Sequence, residues 1–178
     1  MKRKEVAAVP IHLKQNGFAL TELIVVVVIM VTLLSIATLS FNSMQRKANT
    51  ERQTREFFSD LNAARSDSIF RKNRHSIVIN SAANGYAFRR YSSENEDRED
   101  GGTVISTKTI SQTFSQQNGS SAADLIFQFD IRGFAPTPGD RDTIRIDPVG
   151  SGAAFDCVVI AESRTNLGRM EGGSCVQR

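Results

Sequence analysis

Gly17-Phe18-Ala-Leu-Thr-Glu22-Leu-Ile-Val-Val-Val-Val-Ile-Met-Val31 decides the reading of this chain: a nearly pure hydrocarbon run opens on a single carboxylate. After Glu22 no charged residue occurs until Arg46. At about 1.5 Å rise per residue, Leu23 to Phe41 makes a helix of roughly 28 Å, enough to span a bilayer core. A lone acid in such a segment costs about 2.5–3.5 kcal/mol at the membrane centre and less near its edge. A chain that keeps one there has a use for it.

The 178 residues suggest one globular domain besides this segment, and the formal net charge is +3. Lys2, Arg3, Lys4 and Lys14 against Glu5 place that whole excess in residues 1–17, so the remainder is neutral. The total therefore gives no support to nucleic-acid binding. A basic leader before an apolar span keeps its own end cytoplasmic and sends the rest across the membrane. Cys157 and Cys175 agree with such a compartment, where an even cysteine count reads as a disulfide. The bridge would close a loop worth about 3 kcal/mol by chain entropy; two buried free thiols are the alternative.

A removable signal peptide cut near Ser35-Ile36-Ala37, or a plain anchor, leaves Glu22 unexplained, and the apolar run is long for a signal. Gln15-Asn16-Gly17-Phe18-Ala19-Leu20-Thr21-Glu22-Leu23-Ile24-Val25 instead resembles the type IV prepilin processing motif. That motif has Gly before the cut, Phe first in the mature chain and Glu fifth. The resemblance implies cleavage between Gly17 and Phe18 by a prepilin peptidase and N-methylation of Phe18. It also implies that Glu22 docks on the charged amino terminus of an adjacent subunit. The nearest basic residue before Gly17 is Lys14, a departure from leaders with basic residues immediately before the Gly.

From Asn42 to about Arg74 the chain turns polar but contains no Pro or Gly. Phe57, Leu61, Ala64 and Ser68 recur at helical spacing, with Ile69 flanking, which predicts a continuous helix whose second half packs on a sheet. Beyond Arg74 the pattern alternates. Strands are expected at Ser76–Asn80, Tyr86–Tyr91, Thr103–Ile110, Leu125–Phe129, Thr143–Ile146 and Phe155–Ile160, with Asn84-Gly85 as a hairpin signal. The expected fold class is α+β, a long N-terminal transmembrane helix running into antiparallel β-sheets. The expected division is 1–17 leader, 18–41 transmembrane and assembly helix, 42–74 amphipathic continuation and 75–178 β-rich domain.

Leu61-Asn-Ala-Ala-Arg65-Ser66-Asp67-Ser68-Ile69-Phe-Arg71-Lys-Asn73, then a strand and Gly85-Tyr86, resembles the GspH/FimT branch of the pilins. Phe127, Gly133, Thr143-Ile144, Ile146 and Gly168-Arg169 continue the resemblance. It implies a minor type IV pilin that initiates or caps a filament, or alternatively a minor pseudopilin of type II secretion. The implied partners are major and minor pilins, the prepilin peptidase, the inner-membrane assembly platform and the membrane itself. The implied location is the bacterial inner membrane with a periplasmic domain, then the filament.

Catalytic constellations are lacking in the sequence. His75 is the only histidine after the leader, no nucleophile elbow accompanies a serine, and the glycines fall in turns rather than phosphate-binding loops. No enzyme activity, metal or cofactor is expected. Glu94–Asp100 and Gly139–Asp142 lack calcium-loop spacing and read as solvated loops; the basic residues between Arg46 and Arg74 read either as a solvated helix face or as a surface that touches lipid headgroups or acidic patches on neighbouring pilins. A DNA receptor for natural transformation is the alternative of another class. Some members of that branch use a Gly-Arg-x-Arg motif, but here it reads Gly168-Arg169-Met170-Glu171. Arg164, Arg169 and Arg178 against Glu162 and Glu171 supply few cations to displace counterions.

Overall fold

A computed structural model describes residues 19–93, 95–135, 141–147 and 151–178, without the side chains of 36–39 and 141. Gly17 and Phe18 lie outside these residues, as do Glu94, Gly139 and Asp140 of the acidic loops.

Helix α1 (Leu20–Arg71) holds 52 residues. With no Pro or Gly from Leu20 to Arg71, nothing local interrupts it. Ala19 starts it, its carbonyl accepting the N–H groups of Glu22 at 2.9 Å and Leu23 at 3.3 Å. The helix stops short of the expected Arg74. Lys72 takes a left-handed φ of 52° and ends it, in the position where glycine is usual. Lysine carries no sequence signal for that conformation.

The chain divides into two compact units between Phe41 and Asn42. In the second, nine strands follow the helix among the described residues. They are β1 (His75–Ile79), β2 (Gly85–Arg90), β3 (Thr103–Thr109), β4 (Phe114–Gln116), β5 (Ile126–Phe129), β6 (Arg141–Ile146), β7 (Cys157–Ala161), β8 (Thr165–Glu171) and β9 (Ser174–Gln177). One sheet has the order β3-β2-β1-β5 and the other β4-β6-β7-β8-β9, with all pairings antiparallel. This is a pilin-like α+β fold.

Alternation along the strands points one face of each sheet at the helix stripe. Phe57, Leu61 and Ala64 of α1 join Ile77, Ile79 and Tyr86 of the first sheet and Ile144, Ile146, Val158 and Ile160 of the second in one core. Phe57 sits at its centre, 4.7 Å from the Phe114 ring, 5.2 Å from Tyr86 and 6.4 Å from Phe127. Ser68 is buried with its hydroxyl donating to Ala64 O at 2.8 Å, while Ile69 stays partly exposed at the edge. The stripe also extends toward the N-terminal end of α1 through buried Thr50, Gln53 and Thr54. Residues 111–112 offer partners to two of them, Gln53 Nε2 donating to Ser111 Oγ and Gln112 Nε2 to Thr50 Oγ1, while the Thr54 hydroxyl donates to Thr50 O within the helix.

Three strands were not expected from the sequence: β4, β8 and β9. Gln116, at the end of β4, pairs with Ile144. The β1–β2 hairpin forms where Asn84-Gly85 predicts it, but by another device. Ala83 carries the positive φ of 52°, and Asn80 N–H closes the turn on Gly85 O at 2.9 Å. Gly85 already belongs to β2, where a Cβ would lie 2.5 Å from Lys108 O of β3.

Candidate functional site

The first half of α1 is apolar and outward-facing. An 18-residue window has mean hydropathy 2.8 with none of it buried, and every described side chain from Ala19 to Ser35 is exposed. By length and composition this segment can cross a membrane. Two of its hydroxyls are satisfied within the helix, Thr32 Oγ1 donating to Ile29 O and Ser35 Oγ to Val31 O, each at 2.8 Å. That arrangement suits surroundings without water.

Glu22 lies in the first turn of α1, where an acid complements the helix dipole. It is exposed, and no described residue forms an ion pair with its carboxylate. The acid is thus presented outward from an apolar helix, where a charge on another chain can reach it.

At the other end of the chain, Cys157 of β7 and Cys175 of β9 form a disulfide with a Cα–Cα separation of 6.2 Å. The bridge spans the intervening strand β8 at Gly168, the register partner of Cys157. A Cβ on Gly168 would fall 2.5 Å from Cys175 Sγ, 2.7 Å from Val176 O and 3.2 Å from Cys157 Sγ. Glycine at 168 therefore serves the bridge, a structural demand on the Gly of Gly168-Arg169 that does not involve a ligand.

The three candidate DNA-contacting arginines are not gathered into one patch. Arg178 pairs with Glu171 at 2.6 Å. Arg164 lies in the β7–β8 turn, where its carbonyl accepts Ala161 N–H. At about 3.3 Å per residue, β8 carries Arg169 roughly 16 Å farther along. Arg169 faces Asp156, whose carboxyl is pushed up by burial and partly held down by Met170 N–H and by Arg169.

The other singled-out groups are mostly structural. Arg65, expected on a solvated face, donates to Ser163 O at 2.6 Å and stacks over Phe129, with burial lowering its pKa. Arg74 donates to Ser93 O and Glu96 O, which ties the acidic loop to the end of the helix region. The loop is solvated at Asp97, Glu99 and Asp100, whereas Arg98 reaches inward to Ile126 O. His75 is buried, with Nδ1 2.9 Å from Asn73 O. Among the described residues no group of three or more His, Cys, Asp and Glu could hold a metal.

A network missed by sequence reading joins helix to sheet. Asp60 Oδ2 accepts the Tyr86 hydroxyl at 2.6 Å and Lys108 Nζ at 2.7 Å, and Lys108 also reaches Glu56 at 3.1 Å. Burial first and the Asp60 carboxylate second push the Tyr86 phenol well above its ordinary range. Lys108 is raised chiefly by its hydrogen bond to Asp60.

The family model for the prokaryotic N-terminal methylation motif matches residues 12–38. No curated protein and no solved structure matches the chain. The matched segment brackets Gly17, Phe18 and Glu22 and runs into the exposed half of α1. The chain thus carries the N-terminal methylation motif ahead of a pilin-like α+β fold, and the motif implies processing by prepilin peptidase and assembly with other pilins.

Proposed function

We propose that the chain is a minor type IV pilin of the GspH/FimT kind. It is made as a precursor, cut between Gly17 and Phe18, methylated on Phe18 and drawn into a filament through residues 18–41. Residues 1–17 are the leader, 42–74 continue the assembly helix into the body, and 75–178 form the β-rich body. The protein resides in the bacterial inner membrane with its body in the periplasm, then in the filament, where it initiates or caps assembly. The observation that carries this reading is the overlap of the methylation motif at 12–38 with a helix segment exposed on all its described side chains.

Glu22 is the docking group. Opposite charges 4 Å apart attract by about 4 kcal/mol at an effective dielectric of about 20. A methylated amine on Phe18 of the adjacent subunit stays cationic and supplies the partner charge. Glu22→Ala removes the attraction and eases insertion into lipid. Blots of sheared filament and membrane fractions should show normal membrane levels and at least tenfold less protein in filaments. Normal incorporation would contradict the docking role.

A DNA-receptor role draws little support from Arg178 paired to Glu171 and Arg164 set apart from Arg169. Gel shifts with the full chain at low salt should show no binding. Salt-sensitive binding abolished by Arg164/Arg169/Arg178→Ala would reverse that ranking. A deletion strain that loses secretion rather than piliation would place the filament in a type II secretion system.

A further inference from the structure

The basic residues of helix α1 divide into two groups. Arg55 pairs with Glu51, Arg71 pairs with Asp67, and Arg65 is held by Ser163 O and the Phe129 ring. Arg46, Lys47 and Arg52 are exposed, and no described residue forms an ion pair with any of them. The remaining acids of this half of the helix, Glu56 and Asp60, are both taken by Lys108 of β3. Three uncompensated cations thus gather within residues 46–52, while the basic residues farther along the helix are absorbed by the fold. At about 100° per residue they point to different sides of the helix rather than sharing one face.

On the reading of 18–41 as a membrane span, on which this inference rests, their place along the helix decides what surrounds them. Counted from Leu23, a hydrocarbon core of about 30 Å takes about 20 residues and ends near Asn42. The outward apolar side chains end there too, with Phe41 65 % and Met44 71 % exposed and the uncharged Asn42, Ser43 and Gln45 around them. The headgroup layer fills about the next 5–7 Å, or about four residues, which reaches Arg46 and Lys47. Arg52 starts about 9 Å farther on, but side chains of an α-helix lean toward its amino-terminal end, here back toward that layer. A zwitterionic headgroup brings its own ammonium to its phosphate. An anionic headgroup does not, and its charge complements cations that no acid of the protein compensates. Each cation close to such a surface adds about fivefold in affinity, screened by salt.

We propose that Arg46, Lys47 and Arg52 form a collar that binds the phosphates of anionic phospholipids in the leaflet facing the β-rich body. The test is native mass spectrometry of the full-length protein released from detergent micelles doped with equal amounts of phosphatidylglycerol and phosphatidylcholine. At low ammonium acetate the protein should retain phosphatidylglycerol at least fivefold over phosphatidylcholine, and the preference should shrink as the salt is raised. Arg46→Gln/Lys47→Gln/Arg52→Gln, all at exposed positions, should lower that ratio at least threefold. Arg132→Gln/Arg164→Gln/Arg178→Gln removes as many cations from the β-rich body and should leave it unchanged. Equal retention of the two lipids, or a smaller fall with the collar variant, would overturn the assignment. A preference kept by the collar variant and lost with Lys2→Gln/Arg3→Gln/Lys4→Gln/Lys14→Gln would move it to the leader and also overturn it. Salt-sensitive self-association in phosphatidylcholine alone, abolished by the collar variant with no lipid preference, would give the cations to a second copy instead. Retention of neither lipid would contradict the membrane span itself, whereas equal retention leaves the span standing and removes only the collar.

Discussion

Gly168→Ala is a one-carbon change that should act on the whole carboxy-terminal sheet. The added Cβ meets Cys175 Sγ at 2.5 Å, Val176 O at 2.7 Å and Cys157 Sγ at 3.2 Å. Neither sulfur can withdraw while the bridge is closed, and Val176 O belongs to the β9 backbone beside it. If the bridge survives, the crowding costs about 1–3 kcal/mol as overpacking. If it does not form, its closure of the chain between residues 157 and 175 is lost, about 3 kcal/mol. The two routes together span about 1–3 kcal/mol, and at about 3 °C per kcal/mol for a domain of this size the melting midpoint should fall by roughly 3–9 °C. Circular dichroism in the strand region follows the melt, and thiol alkylation read by mass shows which route was taken. In a Cys157→Ala/Cys175→Ala background only the Val176 contact remains, so the same change should cost no more than half as much. A fully oxidised Gly168→Ala protein melting within about 2 °C of the parent would refute the reasoning.

Phe57→Ala removes the ring around which Tyr86, Phe114 and Phe127 pack and should cost about 3–5 kcal/mol in urea unfolding; a cost below 1 kcal/mol would contradict its central place. The chain has two tyrosines and no tryptophan, so phenolate absorbance reads Tyr86 and Tyr91 alone. A native Tyr86 pKa raised by burial and Asp60 means its stabilisation is intact below the ordinary tyrosine value near 10 and is lost as pH rises above it. Tyr86→Phe should therefore flatten the alkaline loss of stability, with a residual slope from Lys108, which Asp60 also raises. An unchanged slope would contradict the Asp60–Tyr86 coupling.

The helix was legible because its signals are local and unopposed. Residues 23–45 carry no charge, and Phe57, Leu61 and Ala64 keep helical spacing with no Pro or Gly between. Strands β1 and β2, joined through the Asn84-Gly85 signal, and the continuous apolar run of β7 were legible for the same reason. What escaped depends on contacts distant in sequence. Strand β8 reads as polar with a glycine at its middle, and only the disulfide crossing at Gly168 explains that glycine. The β8–β9 turn did carry a readable signal, Gly172-Gly173, both at positive φ. Thr50 and Gln53 look solvent-facing until residues 111 and 112 supply their partners. At the candidate assembly site, Glu22 stood out from the sequence because one charge in an apolar run is costly. That Arg46, Lys47 and Arg52 are left unpaired was not legible, since Glu56 and Asp60 are taken by Lys108 of β3, distant in sequence.

The central claim is that Phe18 becomes a methylated amino terminus from which Glu22 is the fifth residue. Mass spectrometry of the amino-terminal peptide, from protein recovered from membranes of cells with and without prepilin peptidase, tests it directly. The account predicts a chain beginning at Phe18 with one added methyl group when the peptidase is present, and the uncut leader when it is absent. A mature chain beginning elsewhere, or a leader retained despite the peptidase, would contradict it.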